Sequence, residues 1–318
     1  MKRSEKKQKE RKKGAWTVRA HLVAFVDLLG VSHSLEAIDN AARNDADYDL
    51  STARVFPVIE TFRSSFKDFY EQHGRIRRSP AKGLAGEKQE LWRRQVAPKP
   101  TIRWFSDCVV VQLPVDVTQP NTFINAFNGL AYAIGAATVT MIGMGTAVRG
   151  AVALGFGAEI AGGEIVSAGL VKAYRMEQTE ADVPRILVHP DVYGAIQTLT
   201  KSDENWLPEE KAIGEALVDY ARSLMREEPD GQVAIDYFGP RVLDGLHVDP
   251  VAERTTLETI EKSIHAQVRL HSGARGSDKG RRTFTKWAWL KSYWDASVSA
   301  ARLKELRTAA STRVRSRA

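Results

Sequence analysis

Hydrophobic residues come in short bounded runs early in the chain and recur at helical spacing between those runs. Trp16 to Asp27, with the apolar run Leu22 to Val26, predicts a first strand. Ser32 to Ser34 offers polar capping for a short helix over Leu35 to Ala42. Val55, Ile59, Phe62, Phe66 and Phe69 fall on one helical face and predict an amphipathic helix over Leu50 to His73. Gly74 to Pro100, rich in Gly, Pro, Arg and Lys, reads as an insertion or lid with a short helix near Glu87 to Arg94. Arg103 to Leu113 then predicts a hairpin: a strand, a tight turn carrying Asp107, and a second strand.

Beyond a turn near Asp116 to Pro120, an apolar helix is expected over about Thr122 to Met141 and a strand over Ala147 to Leu154. Glycines 155, 157, 162 and 163 follow, then a helix from about Ser167 to Gln178 and a strand over Arg185 to Val188. This order of strand, helix, hairpin, helix, strand predicts an α+β fold, the βαββαβ antiparallel sheet of ferredoxin-like and palm domains. The C-terminal part predicts a helix near Pro208 to Arg226, a strand near Gln232 to Phe238 and a helix near Ala252 to Gln267. Trp287, Trp289, Tyr293 and Trp294 near its end read as packing against the core or a dimer surface. The pattern divides the chain into a basic tail (1–15), a main domain (16–240, with an insertion over 50–100) and a helical extension with a basic tail (241–318).

Val117 to Val148 holds no charged residue and is long enough to span a bilayer. Its asparagines (Asn121, Asn125, Asn128) and its glycines, in a stretch of Ala and Thr rather than Leu, favour a core helix instead. No secretory signal is visible, and a cytoplasmic protein is expected.

With 318 residues, 43% hydrophobic and 27% charged, the composition is that of a soluble globular protein. The formal charge of +7 and a pI of about 9.4 raise the question of nucleic acid. Much of that charge sits in the tails, at Lys2 to Lys13 and Arg307 to Arg317, where it serves solubility and weak attraction to polyanions. No stable nucleic-acid partner is expected. Cys108, the single cysteine, excludes an internal disulfide, and its place directly after Asp107 on a strand predicts a core side chain on the opposite face.

Asp27 ends the first strand just before Gly30, and Asp107 sits at the hairpin tip. Two acids at the ends of neighbouring strands, beside a glycine turn able to approach phosphates, form a candidate site for divalent metal and nucleoside triphosphate.

Four stretches carry a resemblance. Phe25-Val-Asp27-Leu-Leu-Gly30, Phe105-Ser-Asp107, Arg149-Gly-Ala-Val-Ala-Leu-Gly155 and Ala173-Tyr-Arg175-Met-Glu177 resemble, in this order, the signatures of class III nucleotidyl cyclases. The Phe-Ser-Asp form, the Pro184-Arg-Ile that follows the last helix, and Lys286-Trp-Ala-Trp-Leu-Lys-Ser-Tyr293 resemble especially the pyrimidine cyclases of the Pycsar antiphage system.

The resemblance implies that Asp27 and Asp107 are metal carboxylates, with the Leu28 carbonyl completing a site for two Mn²⁺ or Mg²⁺ ions. It implies that the backbone of Leu29, Gly30, Val31 and Ser32 cradles the β and γ phosphates, and that Arg175 meets charge building on the α-phosphate. Arg103 and Glu164 fall at the base-reading positions. An arginine donor beside a carboxylate acceptor suits uracil O4 with N3–H, and guanine O6 with N1–H equally; cytosine is also open, through its amino group and N3. UTP is preferred, with CTP and GTP behind it. Shared active sites in a homodimer and a separate cyclic-nucleotide-gated effector are further implied.

The chain departs from that pattern in three places. Val171 stands where purine cyclases carry asparagine, Ser167 replaces a glycine, and the two acids are far apart in sequence. Three readings compete: a uridylate cyclase, a catalytically silent nucleotide-binding regulator, and a basic nucleic-acid scaffold whose affinity would collapse with salt.

Overall fold

The structure is a computed structural model, and it describes residues 18–43, 48–78, 86, 99–116, 120–160, 164–199, 208–246, 250–273 and 276–298. In chain order the elements are β1 (Val18–Leu28), α1 (Val31–Arg43), α2 (Tyr48–Arg78), β2 (Thr101–Phe105), β3 (Cys108–Val115), α3 (Pro120–Gly143), β4 (Val148–Ile160), β5 (Glu164–Ser167) and α4 (Ala168–Glu180). There follow β6 (Ile186–Val188), α5 (Pro190–Leu199), α6 (Pro208–Ser223), β7 (Met225–Glu227), β8 (Val233–Ile235), α7 (Pro240–Leu246), α8 (Pro250–Ser272) and α9 (Asp278–Ser297).

The sheet runs β2-β3-β1-β4-β6-β8-β7, with β5 paired to the far end of β4. Its first four strands pair antiparallel in the connectivity that the pattern predicts, and the α+β class holds. The sheet is nevertheless mixed and wider than expected. β6 adds parallel to β4, and β8 and β7 extend that edge. Strands of three residues carry too little periodicity to announce their place in a sheet.

Alternation along β1 separates the two faces. Leu22, Ala24, Val26 and Leu28 share one face with Val109, Val111 and Leu113 of β3, and meet Phe62 and Phe66 of α2 and Phe123, Phe127, Leu130 and Ile134 of α3. Helix α3 is apolar enough over Asn121–Gly143 to cross a membrane, yet 89% of its most apolar window is buried within the protein, which makes it the core helix expected. The opposite face is built from small residues. Ala151 and Ala153 of β4 pack against Ala173 and Met176 of α4, with Phe25 at the margin.

Several boundaries differ from expectation. Helix α1 starts at Val31, so Ser32 to Ser34 lie inside its first turn rather than before it; Gly30, at φ +90°, supplies the left-handed turn that ends the strand. Strand β4 runs on through Gly155 and Gly157 to Ile160 instead of stopping at Leu154. Helix α2 extends to Arg78, and the short helix expected near Glu87 to Arg94 lies outside the described residues. At the C-terminal end, Trp287, Tyr293 and Trp294 of α9 are buried, and Phe238 lies against Tyr293 and Trp294. Tyr293 also donates to Asp236 at 2.6 Å, so the Trp-rich end packs against the core.

Candidate functional site

The acids meet because two loop closures are pinned to the end of β1. The hairpin turn consists of Ser106 and Asp107, with Ser106 at φ 51°, a left-handed conformation that costs a non-glycine residue roughly 1 kcal/mol. The Leu28 N–H donates to the Asp107 carbonyl at 3.0 Å, and the Leu29 N–H donates to the Ala147 carbonyl at 2.9 Å. The tip of β2–β3 and the start of β4 are thereby held on either side of Asp27. One oxygen of Asp27, one of Asp107 and the sulfur of Cys108 all lie within 4.8 Å of one another.

Cys108 corrects one expectation. Asp107 occupies the turn and not the strand, so alternation between the two residues does not apply. The register puts Cys108 opposite Asp27, on the same side of the sheet. Its sulfur donates to Asp27 Oδ1 at 3.4 Å and lies 3.7 Å from Asp107 Oδ1. Burial first, then the two carboxylates, push the thiol pKa far above its ordinary range, which keeps it protonated and a poor nucleophile.

Arg149, first seen as part of a motif, is the central cation. It faces Asp27 across β1–β4, with Nε 3.2 Å from Asp27 Oδ2 and 2.5 Å from Glu177 Oε1. The closer contact lacks hydrogen-bond alignment. Glu177 is fully buried, and its other oxygen accepts from Gln178 Nε2 at 2.6 Å. Burial raises the Glu177 pKa, while Arg149 and Gln178 pull it back down. Lys286 of α9 faces the same group: burial and Arg149 lower its pKa, and Asp27, Asp182 and Glu177 oppose that.

Charge bookkeeping sets the character of the site. Two carboxylates within 4.8 Å repel by about 3 kcal/mol at an effective dielectric of ~20. Arg149 offsets Asp27 but is shared with Glu177, and no basic side chain pairs with Asp107 among the described residues. One acid therefore stands uncompensated beside another. The donor set suits a hard divalent cation, because carboxylates are the ligands that Mg²⁺ and Mn²⁺ take and the thiol is protonated.

The remaining predicted residues are distributed around this centre. Leu28 pairs with Val148 at the end of β1. The Leu29 N–H is already used by Ala147, which removes it from the expected phosphate cradle; Gly30, Val31 and Ser32 lead into α1, whose first N–H groups lack intrahelical partners. Arg103 is exposed on β2 and paired with Val110, which is opposite Phe25, two residues before Asp27. The Glu164 backbone lies opposite Ile160, nine positions along β4 from Ala151, the partner of Phe25. Strand pairing thus does not assemble Arg103 and Glu164 at one place, and a joint contact with a base must span that interval.

Arg175 is exposed on α4, and its side chain has no hydrogen bond or ion pair among the described residues. Glu180, a candidate partner, accepts instead from Gln232 Nε2 at 2.8 Å. Helix α4 is anchored over β1 by Tyr174, edge-on to Phe25 at 5.3 Å, and one turn before Arg175 the apolar Val171 is exposed. Sequence reasoning missed Arg149, Glu177 and Lys286 as site residues. Glu177 had a signal, an acid four residues after Ala173 and so on the inner face of α4.

No protein-family model and no curated protein sequence matches the chain.

Proposed function

We propose that the chain is a class III-type nucleotidyl cyclase that converts UTP to 3′,5′-cyclic UMP and pyrophosphate, with CTP and GTP as lesser substrates. The observation that carries this reading is the convergence of Asp27 and Asp107, from segments 80 positions apart, at the one end of the sheet where α1 begins. The same sheet side bears Arg103 and the helix carrying Arg175.

Asp27 and Asp107, with the Leu28 carbonyl, would hold the divalent ions, Mn²⁺ or Mg²⁺, which when bound lower the pKa of a coordinated hydroxyl and neutralise phosphate charge. The protein's own part is placement. The opening turn of α1 receives the β and γ phosphates, and half-burial of the acids limits competing water. The ribose 3′-hydroxyl is the nucleophile and pyrophosphate the leaving group, so orientation and charge stabilisation supply most of the acceleration. Arg175 points into solvent and would serve a site completed by a second copy of the chain, its guanidinium meeting the α-phosphate of the partner-held nucleotide. A single cysteine, Cys108, fits a reducing cytoplasm. By its resemblance to Pycsar cyclases, the product would act as a second messenger in antiphage defence through a separate effector.

A second reading is favoured by Val171 and by the Asp27–Arg149 contact: a cyclase-like domain that binds nucleotide without turnover. Incubation with each of the four nucleoside triphosphates and Mn²⁺, with mass identification of products, separates the two. Cyclic UMP is expected from the native chain, and Asp107→Ala abolishes pyrophosphate release while leaving the fold intact. No cyclic product from any triphosphate would contradict the cyclase.

A further inference from the structure

The contacts of Arg149 describe a cation held between two acids of different standing. Asp27 lies on the strand beside Asp107, 16% exposed, while Glu177 comes from α4 and is wholly buried. Arg149 Nε is nearer to Glu177 (2.5 Å) than to Asp27 (3.2 Å), but its N–H is aligned on Asp27, and the Glu177 oxygen that it meets has no aligned hydrogen bond among the described residues. Among the described residues Arg149 is the cation in direct contact with Glu177, and a buried carboxylate is a strong sink for a guanidinium. Asp27, by contrast, can exchange its cation with solvent-borne ions because it reaches the surface. Gln178 satisfies only the second Glu177 oxygen, so the first remains available to take Arg149 fully.

We propose that Glu177 is a positioning residue for the metal site: it retains Arg149 when a divalent cation enters, so that Asp27 exchanges the guanidinium for the metal without leaving Arg149 unpaired. Arg149 is then a resident counter-ion for Asp27 while no cation is bound. On metal entry the 3.2 Å contact to Asp27 breaks and the 2.5 Å contact to Glu177 persists. Helix α4, which carries Arg175, is by this route coupled electrostatically to the acid pair on β1 and the hairpin. The inference rests on the acid-pair reading of the proposed function and deepens it.

The test is Mn²⁺ binding to the full chain without nucleotide, read from the loss of the free-ion electron paramagnetic resonance signal. Glu177→Gln leaves Asp27 as the only carboxylate for Arg149 and should weaken Mn²⁺ affinity by about tenfold, the scale of one charge-assisted contact. Glu177→Gln combined with Arg149→Gln keeps the net charge and near-native shapes but removes the competitor; this double variant should bind Mn²⁺ more tightly than the native chain. If Glu177 acted only as a distant negative charge, the two changes would cancel and the double variant would match the native chain. A double variant no tighter than native, or an unchanged affinity in Glu177→Gln, overturns the positioning role. Asp107→Asn, outside the Arg149–Glu177 pair, tests the underlying site. Undiminished Mn²⁺ binding in that variant would remove the metal site itself, whereas weakened binding there with a double variant no tighter than native removes the Glu177 inference alone.

Discussion

The two faces of the sheet are built on opposite principles. Toward α2 and α3, large side chains such as Phe62, Phe66, Phe123 and Phe127 fill the layer. Toward α4, alanine and glycine let the helix come close enough for backbone to touch backbone, and at one end of that thin layer stand Asp27, Arg149 and Glu177. The thick face holds the sheet together by burial. The thin face fixes a helix at a distance at which a buried glutamate can reach an arginine on the strand beneath it. Stability and charge placement are thus assigned to different sides of the same strands.

Substitutions on the two faces should fail differently. The largest loss of stability is expected at Phe127→Ala on the thick face, about 3–5 kcal/mol from lost burial and the cavity left behind, measured by urea unfolding. Next comes Gly155→Ala on the thin face. A Cβ there would lie 2.2 Å from the Gly169 nitrogen, so α4 must shift, at a cost of roughly 1–3 kcal/mol. The second variant should also lose activity beyond its stability loss, because the shift carries Glu177 and Arg175 with it; an active, fully stable Gly155→Ala would break the comparison.

Glu177 gives a pH signature. Burial holds its pKa above the ordinary carboxylate range, so the native state keeps a proton that the unfolded chain has already released, and stability falls as pH rises through that interval. Glu177→Gln should flatten this slope in denaturation measured from pH 4.5 upward, and a steeper slope in the variant would contradict the assignment. The smallest stability effect belongs to Arg175→Ala. Exposed and unpartnered among the described residues, it should change stability by no more than about 0.5 kcal/mol while turnover is lost, a separation that a merely structural arginine would not give.

How much of this could be read from the chain follows from the same contrast. The thick face was legible, because Val55, Ile59, Phe62 and Phe66 repeat at helical spacing and the buried α3 is unbroken by charge. The hairpin and both acids were legible from strand formers flanking a short turn. Cys108 was misplaced because one residue of turn reverses the alternation that the expectation relied on. Arg149 and Glu177 were hidden as a pair: their contact joins a strand to a helix 28 positions later, through a close approach set by Gly155 and Gly169 that no periodicity reports. Strands were expected at β6 and β8, near Arg185 to Val188 and Gln232 to Phe238, whereas β7 falls at the end of the helix expected near Pro208 to Arg226; strands this short carry too little pattern to show which neighbour they pair with.

In the proposed function a divalent cation is shared by two strand-end carboxylates. Crystals of the chain grown with Mn²⁺ and UTP, measured at the manganese absorption edge, address it directly. An anomalous peak about 2.0–2.5 Å from oxygens of both Asp27 and Asp107 is the expected result, on ordinary distances for hard cations. Crystals with ordered carboxylates at these two residues, Arg149 still seated on Asp27 and manganese absent between them, would contradict it.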